Sequence, residues 1–232
     1  MGRVVVAGSI NMDVVALADR HPKRGETVAG REISYFSGGK GANQAVAAAR
    51  LGAATMLIGR VGSDAFGRGL RTFLAAQGVD LTFVQDTPEA HSGTALITLA
   101  DADNTIVVVP GANGLVSPAD VAAAPLAKGD IAVSQFEIPL PAISTFFERA
   151  RSAGATTMLN PAPMVPFDRA LLDLIDILVL NESELGLLTK AELRGSDEHG
   201  RFVEAMRSLR MENRIVCVTL GKRGAVALVQ GE

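Results

Sequence analysis

The sequence is poor in cysteine and histidine, and this scarcity excludes several kinds of site. Its 232 residues include one cysteine, Cys217, and three histidines. A single cysteine cannot form an internal disulfide, and three scattered histidines do not make a Cys/His zinc cluster. Because Cys217 lies within the apolar run 215–218, we interpret it as a buried small hydrophobe and not as a nucleophile.

An excess of charge of one sign and long apolar runs are also missing. Lys and Arg total 22 against 25 Asp and Glu, so the formal net charge is −3. Without a run of about five like charges, a nucleic-acid partner or a polybasic membrane anchor is not expected. No apolar run approaches the roughly 18 residues of a membrane span, and the first one stops at Gly8, short of a signal-peptide core. We therefore expect a cytoplasmic protein with no membrane partner.

Short β-branched runs alternate with longer amphipathic ones along most of the chain. This alternation predicts an α/β fold, with a layered, mostly parallel β-sheet flanked by helices. The predicted strands span residues 4–7, 55–58, 130–134, 156–159, 176–180 and 214–219. The predicted helices span residues 42–51, 65–77, 118–124, 139–152, 170–175, 182–189 and 197–209.

Two segments interrupt this alternation and predict a small inserted β lid. Residues 13–36 contain two alternating runs around a charged turn, and residues 92–109 contain two more around the hairpin signature at 101–104. The lid then comprises 13–36 and 92–109, and the α/β core comprises 1–12, 37–91 and 110–232. The alternative is an edge extension of the sheet without a function.

Polar side chains follow five of the predicted strands. These side chains are Asn11 and Asp13, Gln135 and Glu137, Asn160, Asn181, and Thr219. Ligands bind at the carboxyl ends of the strands in open parallel sheets, so this edge is the expected site. Each residue taken singly is also a common turn or helix-cap residue, but five such coincidences are harder to explain by capping alone.

Three polar clusters suggest binding of phosphate groups or of the Mg²⁺ that accompanies them. The first is the turn that holds Gly39, Lys40, Gly41 and Asn43; it lacks the glycine spacing of a Walker loop and the Ser or Thr that follows the Walker lysine, and a tight strand-to-helix turn is its alternative. In the second, Asn181 and Glu184 would hold a hydrated Mg²⁺, with a plain helix cap as the alternative. The third cluster is the loop of Thr219, Leu220, Gly221, Lys222, Arg223 and Gly224, which would either cradle a nucleotide or turn into the hairpin strand 225–230.

With these residues assembled, the sequence resembles the ribokinase-like family of sugar kinases over essentially its whole length. The matching motifs are GSINMD at 8–13, GGKGANQAVA at 38–47, GRVGSD at 59–64, SGTALI at 92–97, PGAN at 110–113, NPAP at 160–163, NESE at 181–184 and TLGKRG at 219–224. The run at 38–47 with the upstream N-x-D is the most specific. The NPAP run favours the ribose-phosphorylating branch over the adenosine kinase and fructokinase branches.

The resemblance implies transfer of the γ-phosphoryl group of ATP to O5 of D-ribose or a similar sugar. It assigns the sugar hydroxyls to Asn11, Asp13, Glu137 and the turn at 39–43, which holds Gly39, Lys40, Gly41 and Asn43. It assigns the nucleotide to Asn181 and the loop Thr219, Leu220, Gly221, Lys222, Arg223 and Gly224, and Mg²⁺ to Glu184 through water. A K⁺ site and a homodimer formed through the lid are further family properties. Another sugar or nucleoside kinase of the same family is the alternative.

One family motif has no counterpart in the sequence. The signature Asp-Thr-x-Gly-Ala-Gly-Asp, which carries the catalytic aspartate and the anion hole, is expected beyond Glu232. A general base contributes about 10²–10⁴-fold to a rate, so we expect no catalytic residue within the chain and weak turnover from these residues alone. A non-catalytic sugar-binding protein is therefore a second alternative.

Overall fold

The computed structural model describes residues 2–193, 198–211 and 214–229. The strands in chain order are β1 (Val4–Ala7), β2 (Asn11–Ala18), β3 (Gly30–Gly38), β4 (Thr55–Gly62), β5 (Val79–Thr87), β6 (Gly93–Ala100), β7 (Asp103–Val109), β8 (Ile131–Gln135), β9 (Thr156–Asn160), β10 (Ile177–Asn181), β11 (Ile215–Thr219) and β12 (Ala225–Val229). The helices are α1 (Lys40–Arg50), α2 (Ala65–Ala76), α3 (Pro118–Ala123), α4 (Leu140–Ser152), α5 (Glu182–Thr189) and α6 (Glu198–Ser208). Short 3₁₀ turns occupy Gly111–Leu115, Arg169–Leu174 and Gly221–Arg223.

Eight strands form the main sheet, in the order β12-β11-β10-β9-β8-β1-β4-β5. Every neighbouring pair is parallel except β11 and β12. Val5 and Ala7 of β1 face a core cluster that includes α4, whereas Val6 faces a second cluster with α1 and α2. The strand alternation therefore buries both faces at the centre of the sheet, and the predicted fold class is confirmed.

Parallel pairing brings the carboxyl ends of several strands to one edge. Ala7 pairs with Ser134, Gln135 with Asn160, and Asn181 with Thr219. The polar residues that follow these strands in the sequence consequently share this edge of the molecule.

The remaining four strands form a separate small sheet in the order β3-β2-β6-β7. Its β6–β7 hairpin closes with Asp101 and Ala102 at φ of 53° and 59°. Positive φ at both positions is typical of the two-residue hairpin turn that matches strand twist, so the predicted hairpin is confirmed.

Several predicted elements differ from those observed, and β4 runs four residues past its predicted end at Ile58. β5 was not predicted, because as the edge strand it mixes polar with apolar residues and lacks a continuous apolar run. The predicted helix 170–175 is the 3₁₀ turn Arg169–Leu174, too short for an α-helix to propagate. Helix α1 begins at Lys40, two residues before the predicted start, because Gly39 at φ 89° makes the turn.

The predicted start of the seventh helix at Asp197 and the predicted strand end at Gln230 lie outside the described residues. Across 2–193, 198–211 and 214–229, every helix is too short or too polar to cross a membrane.

Candidate functional site

The glycine-rich turn brings the start of α1 against the end of β1. A Cβ on Gly39 would lie 2.8 Å from the backbone nitrogen of Asn11, and a Cβ on Gly41 would lie 2.5 Å from the carbonyl carbon of Gly8. The Ala42 N–H donates to the Ser9 carbonyl at 2.9 Å. Glycine is therefore required in this turn for close backbone approach, and Gly39 also for its positive φ.

Glu137 is the centre of the polar contacts on this side of the molecule. Its carboxylate accepts hydrogen bonds from Lys40 Nζ at 2.8 Å, from the Lys40 backbone N–H at 3.0 Å and from Ser9 Oγ at 2.5 Å. Burial alone raises the pKa of Glu137, but the hydrogen bonds from Lys40 and Ser9 and the Lys40 charge hold that pKa below its ordinary value. Glu137 is consequently ionised and held in one position.

Asp13 is the second carboxylate and has the opposite electrostatic environment. Burial, together with the negative charge of Glu137, raises its pKa, and Lys40 only partly offsets this effect. A Cβ on Gly38 would lie 2.2 Å from Asp13 Oδ2, so the carboxylate fills the space that this glycine leaves. No hydrogen bond to the Asp13 carboxylate is present among the residues that the structure describes. It is therefore a half-buried acceptor that is available to a ligand.

Asn11 lies beside these carboxylates and is 4% exposed. It contributes to a cavity of about 390 Å³ between the end of the main sheet and the small sheet. The residues lining it include Ser9, Asn11, Val108, Asn113, Phe136 and Glu137. Because Val108 belongs to β7, the small sheet forms part of the cavity wall.

A groove of about 570 Å³ runs beside α1 on the main sheet. Lys40 lines it, and so do Asn181, Glu184 and Thr219, at the carboxyl ends of β10 and β11 and the start of α5. Lys40 also contacts Glu137, so it belongs both to the groove and to the cluster around the cavity. Lys40 thus connects the residues predicted to bind the sugar with those predicted to bind the nucleotide.

Asn181 and Glu184 form a reciprocal helix cap. The Glu184 N–H donates to Asn181 Oδ1 at 2.8 Å, and the Asn181 N–H donates to Glu184 Oε2 at 2.8 Å. The helix-cap alternative from the sequence therefore describes the contacts of both side chains.

The loop after β11 is more open. Leu220 N–H donates to the Gly224 carbonyl at 2.8 Å, and Arg223 pairs with Glu182 at 2.6 Å across the start of α5. Gly221 and Gly224 have φ of 58° and 90°, and a Cβ on either would meet open space. A cavity of about 740 Å³ is lined by residues that include Asn181, Ser183, Thr219 and Gly221. Lys222 lies in the exposed 3₁₀ turn.

The structure brings most of the sequence-predicted sugar residues together: Asn11, Asp13, Gly39, Lys40, Gly41 and Glu137. Asn43 lies in the first turn of α1, where its N–H donates to the Gly39 carbonyl at 2.9 Å. Sequence reasoning did not single out Ser9 or Asn113 as site residues. Ser9 lies in the motif at 8–13 and Asn113 in the motif at 110–113. The motifs therefore pointed to both residues, although the sequence assigned neither of them a function.

The carboxylates of the site fit a metal that is held through water and phosphates. No group of three or more His, Cys, Asp or Glu that could hold a metal ion occurs within the described ranges. Mg²⁺ commonly keeps several waters and takes other ligands from phosphates, so one carboxylate suffices. The cap uses Oε2 of Glu184 and leaves Oε1, which fits contact with a metal through water.

The whole chain, residues 1–232, matches the model of the pfkB family carbohydrate kinases. It is 39% identical over 226 residues to the ribokinase of Staphylococcus aureus. The aligned region covers 96% of this chain and 74% of that protein. It is 34% identical to the deoxyribokinase of Salmonella typhi, over 99% of this chain and 76% of that one. The structure of Arabidopsis thaliana ribokinase complexed with ribose and ATP superposes with a TM-score of 0.85 at 32% identity, over 100% of this chain and 76% of that chain.

Proposed function

The chain belongs to the pfkB family of carbohydrate kinases, and from this premise we propose that it phosphorylates D-ribose at O5 with ATP. Support comes from similarity to ribokinases over nearly the whole chain. The observation that carries the proposal is the double role of Lys40, which pairs with Glu137 beside the cavity and lines the groove leading to Asn181 and Thr219.

The cavity has the chemistry that a small polyol requires. Each sugar hydroxyl is both a donor and an acceptor, and a buried site must satisfy both capacities. Asp13 and Glu137 accept hydrogen bonds from hydroxyls, while the NH₂ group of Asn11 donates to a sugar oxygen. The backbone N–H groups of residues 40–43 already bond within the chain and hold the turn in place. A hydrogen bond to a charged group contributes about 1.5–3 kcal/mol, so the two carboxylates supply much of the affinity.

The triphosphate then lies at the polar end of the groove, near Asn181 and Thr219, because most of the remaining lining is apolar and includes Val4, Val133 and Met158. Lys40 and the loop residues Lys222 and Arg223 attract the phosphates, while Asn181, Thr219 and the backbone of Leu220, Gly221 and Gly224 line the nucleotide. Mg²⁺, when bound, neutralises phosphate charge, and Glu184 holds it through water. By the family resemblance, the proton acceptor for the sugar hydroxyl is the aspartate of the signature Asp-Thr-x-Gly-Ala-Gly-Asp. From the family resemblance we also propose a K⁺ site, and from the composition a cytoplasmic location.

A homodimer through the small sheet is part of the proposal. Register places Val15, Ile97 and Ile106 in one row across this sheet, and Leu17 and Leu99 in a second row on the same face. Several of these side chains are exposed, including Leu17, Leu99 and Ile106. Light scattering would measure the molar mass. A dimer that becomes a monomer in Ile106→Lys is expected, and a monomeric unaltered chain would refute this part.

The test of the activity is ADP formation with D-ribose, 2-deoxy-D-ribose, fructose and adenosine in parallel, beside calorimetric titration of each. We expect D-ribose to bind and to give the largest turnover. Faster turnover with 2-deoxy-D-ribose would show a deoxyribokinase, as the S. typhi relative is named. Faster turnover with fructose or adenosine would show another sugar or nucleoside kinase of the same family. Ribose binding without turnover would favour the alternative of a non-catalytic sugar-binding protein. The intact mass of the purified protein shows which polypeptide gave that result. Absence of ribose binding would refute the proposal.

A further inference from the structure

Asn113 is a buried side chain beside the cavity that makes three hydrogen bonds. It is 1% exposed and lies in the 3₁₀ turn that follows β7. Its Oδ1 accepts the Ile10 N–H at 2.9 Å. Its Nδ2 donates to the Ile10 carbonyl at 3.1 Å and to Asn11 Oδ1 at 2.7 Å. Both N–H donors and the oxygen of this amide are therefore in use.

The backbone of Ile10 determines which way this amide points. A backbone N–H can only donate, so the Asn113 atom facing it must be the oxygen, and the nitrogen must face Asn11. Asn11 consequently presents its own oxygen to Asn113. Its NH₂ group is the part left for a ligand, and it has no hydrogen-bond partner among the described residues. Asn11 lines the cavity, where this donor is available.

Gly93 provides the space for this pair. It lies opposite Asn11 in the β2–β6 register. A Cβ on Gly93 would lie 2.1 Å from Asn113 Nδ2 and 2.3 Å from Asn11 Oδ1. An alanine there would push the two amides apart without removing a polar atom.

We propose that Asn113 is a positioning residue that sets the hydrogen-bond polarity of the sugar site by turning the NH₂ group of Asn11 into the cavity. This inference rests on the proposed function, since it places a sugar there. The sugar hydroxyl facing Asn11 then accepts a hydrogen bond from the NH₂ group and donates a hydrogen bond to a carboxylate, that of Asp13 or Glu137. A ligand without that hydroxyl would leave the Asn11 donor unpaired.

The first test is calorimetric titration of D-ribose and ATP into the unaltered chain, Asn113→Ala and Gly93→Ala. Both variants are expected to bind ribose about 10- to 100-fold more weakly, since a polar group is left without its partner, and to bind ATP unchanged. Gly69→Ala is the matched glycine control, because a Cβ there meets nothing within 4 Å, and it should bind ribose normally. Thermal melts show which variants are folded.

A double-mutant cycle with Asn11→Ala separates positioning from a general structural role. If Asn113 acts through Asn11, Asn113→Ala should change ribose affinity less than about twofold once Asn11 is alanine. Equal losses in both backgrounds would overturn the inference, as would tight ribose binding by folded Asn113→Ala or Gly93→Ala. If Asn113→Ala fails to fold, the Gly93→Ala cycle decides. Absence of ribose binding to the unaltered chain would instead refute the proposed function itself.

Discussion

The cavity and the groove together make up the proposed crevice, and its two ends, one proposed to hold the sugar and the other the nucleotide, are built differently. At the sugar end, Glu137 is held by Lys40 and Ser9, and Asn11 is held by Asn113, so these two side chains are fixed by other residues of the chain. At the nucleotide end, the loop after β11 is mostly exposed, and its Arg223 pairs with Glu182 at the start of α5. The sugar end is therefore preorganised, whereas the nucleotide end is open.

The glycines at the two ends differ in the same way. Gly41 leaves no room for a Cβ because backbone atoms lie 2.5–2.7 Å away, whereas Gly221 has open space and only a positive φ to explain it. The first is required by packing and the second by backbone conformation. Substitutions at the two ends should consequently differ in kind as well as in size.

The largest effect is expected at Asp13. Asp13→Ala should weaken ribose binding at least about 100-fold, because charged acceptors of two hydroxyl bonds contribute about 3 kcal/mol or more. ATP binding should be unchanged, since the loop after β11 does not depend on this residue. Calorimetry with each ligand measures both. Loss of ATP binding with ribose binding intact would show that the sugar and the nucleotide have been assigned to the wrong ends of the crevice.

A packing comparison of the two ends comes next. Gly41→Ala should lower the free energy of unfolding by about 3 kcal/mol, as expected for overpacking against rigid backbone. Gly221→Ala should cost only about 1 kcal/mol, the strain of alanine at positive φ. Urea unfolding measures both values. Similar costs at the two positions would show that the sugar end is not the more tightly built one.

The carboxylates of the sugar end should give stability effects of opposite sign. The pKa of Glu137 is lowered, so its ionised form stabilises the fold above pH 4.5, and this contribution is lost as the pH falls through the lowered pKa. Glu137→Gln should therefore be less stable than the unaltered chain at neutral pH, with the difference disappearing in acid. Unfolding measured from pH 3 to pH 8 tests the sign, and a constant difference across that range would contradict it.

Asp13→Asn is the matched counterpart. The pKa of Asp13 is raised, so its ionisation destabilises the fold as the pH rises from about 3.8 through the raised pKa. The asparagine variant should be more stable than the unaltered chain at neutral pH and equal to it below about pH 3.8, although it binds ribose poorly. Lower stability at neutral pH would contradict the assignment of Asp13 as a half-buried ligand group.

The smallest effect is expected at the open end. Arg223 is exposed and already pairs with Glu182. A pair between exposed charges contributes about 1 kcal/mol or less, and this limit applies equally to Arg223 with a phosphate. Arg223→Ala should weaken ATP binding about two- to fivefold and leave ribose binding unchanged. Arg68→Ala on the exposed side of α2 is the control. A loss of ribose affinity in Arg223→Ala would show that the two ends are not separate.

Much of the fold was predictable because buried parallel strands have a distinctive apolar pattern. The strands from Val4–Ala7 to Ile215–Thr219 were found within a few residues, whereas the edge strand Val79–Thr87 was missed since half of its side chains face solvent. The candidate site residues were predictable where they follow strands, as Glu137 and Asn181 do. Asn113 was not, because its role depends on contact with Ile10, about a hundred residues away in the chain.

Amide chemical-shift mapping with each ligand tests the central claim most directly. Ribose should shift the amides of residues 9–13 and 39–43 and leave those of 219–224 unmoved. ATP should shift the amides of 219–224 and, apart from Lys40, leave those of 9–13 and 39–43 unmoved. Lys40 should respond to both, because it joins the cavity and the groove. Ribose shifts confined to 219–224, or a Lys40 amide that responds to neither ligand, would contradict a single crevice with the sugar at one end and the nucleotide at the other.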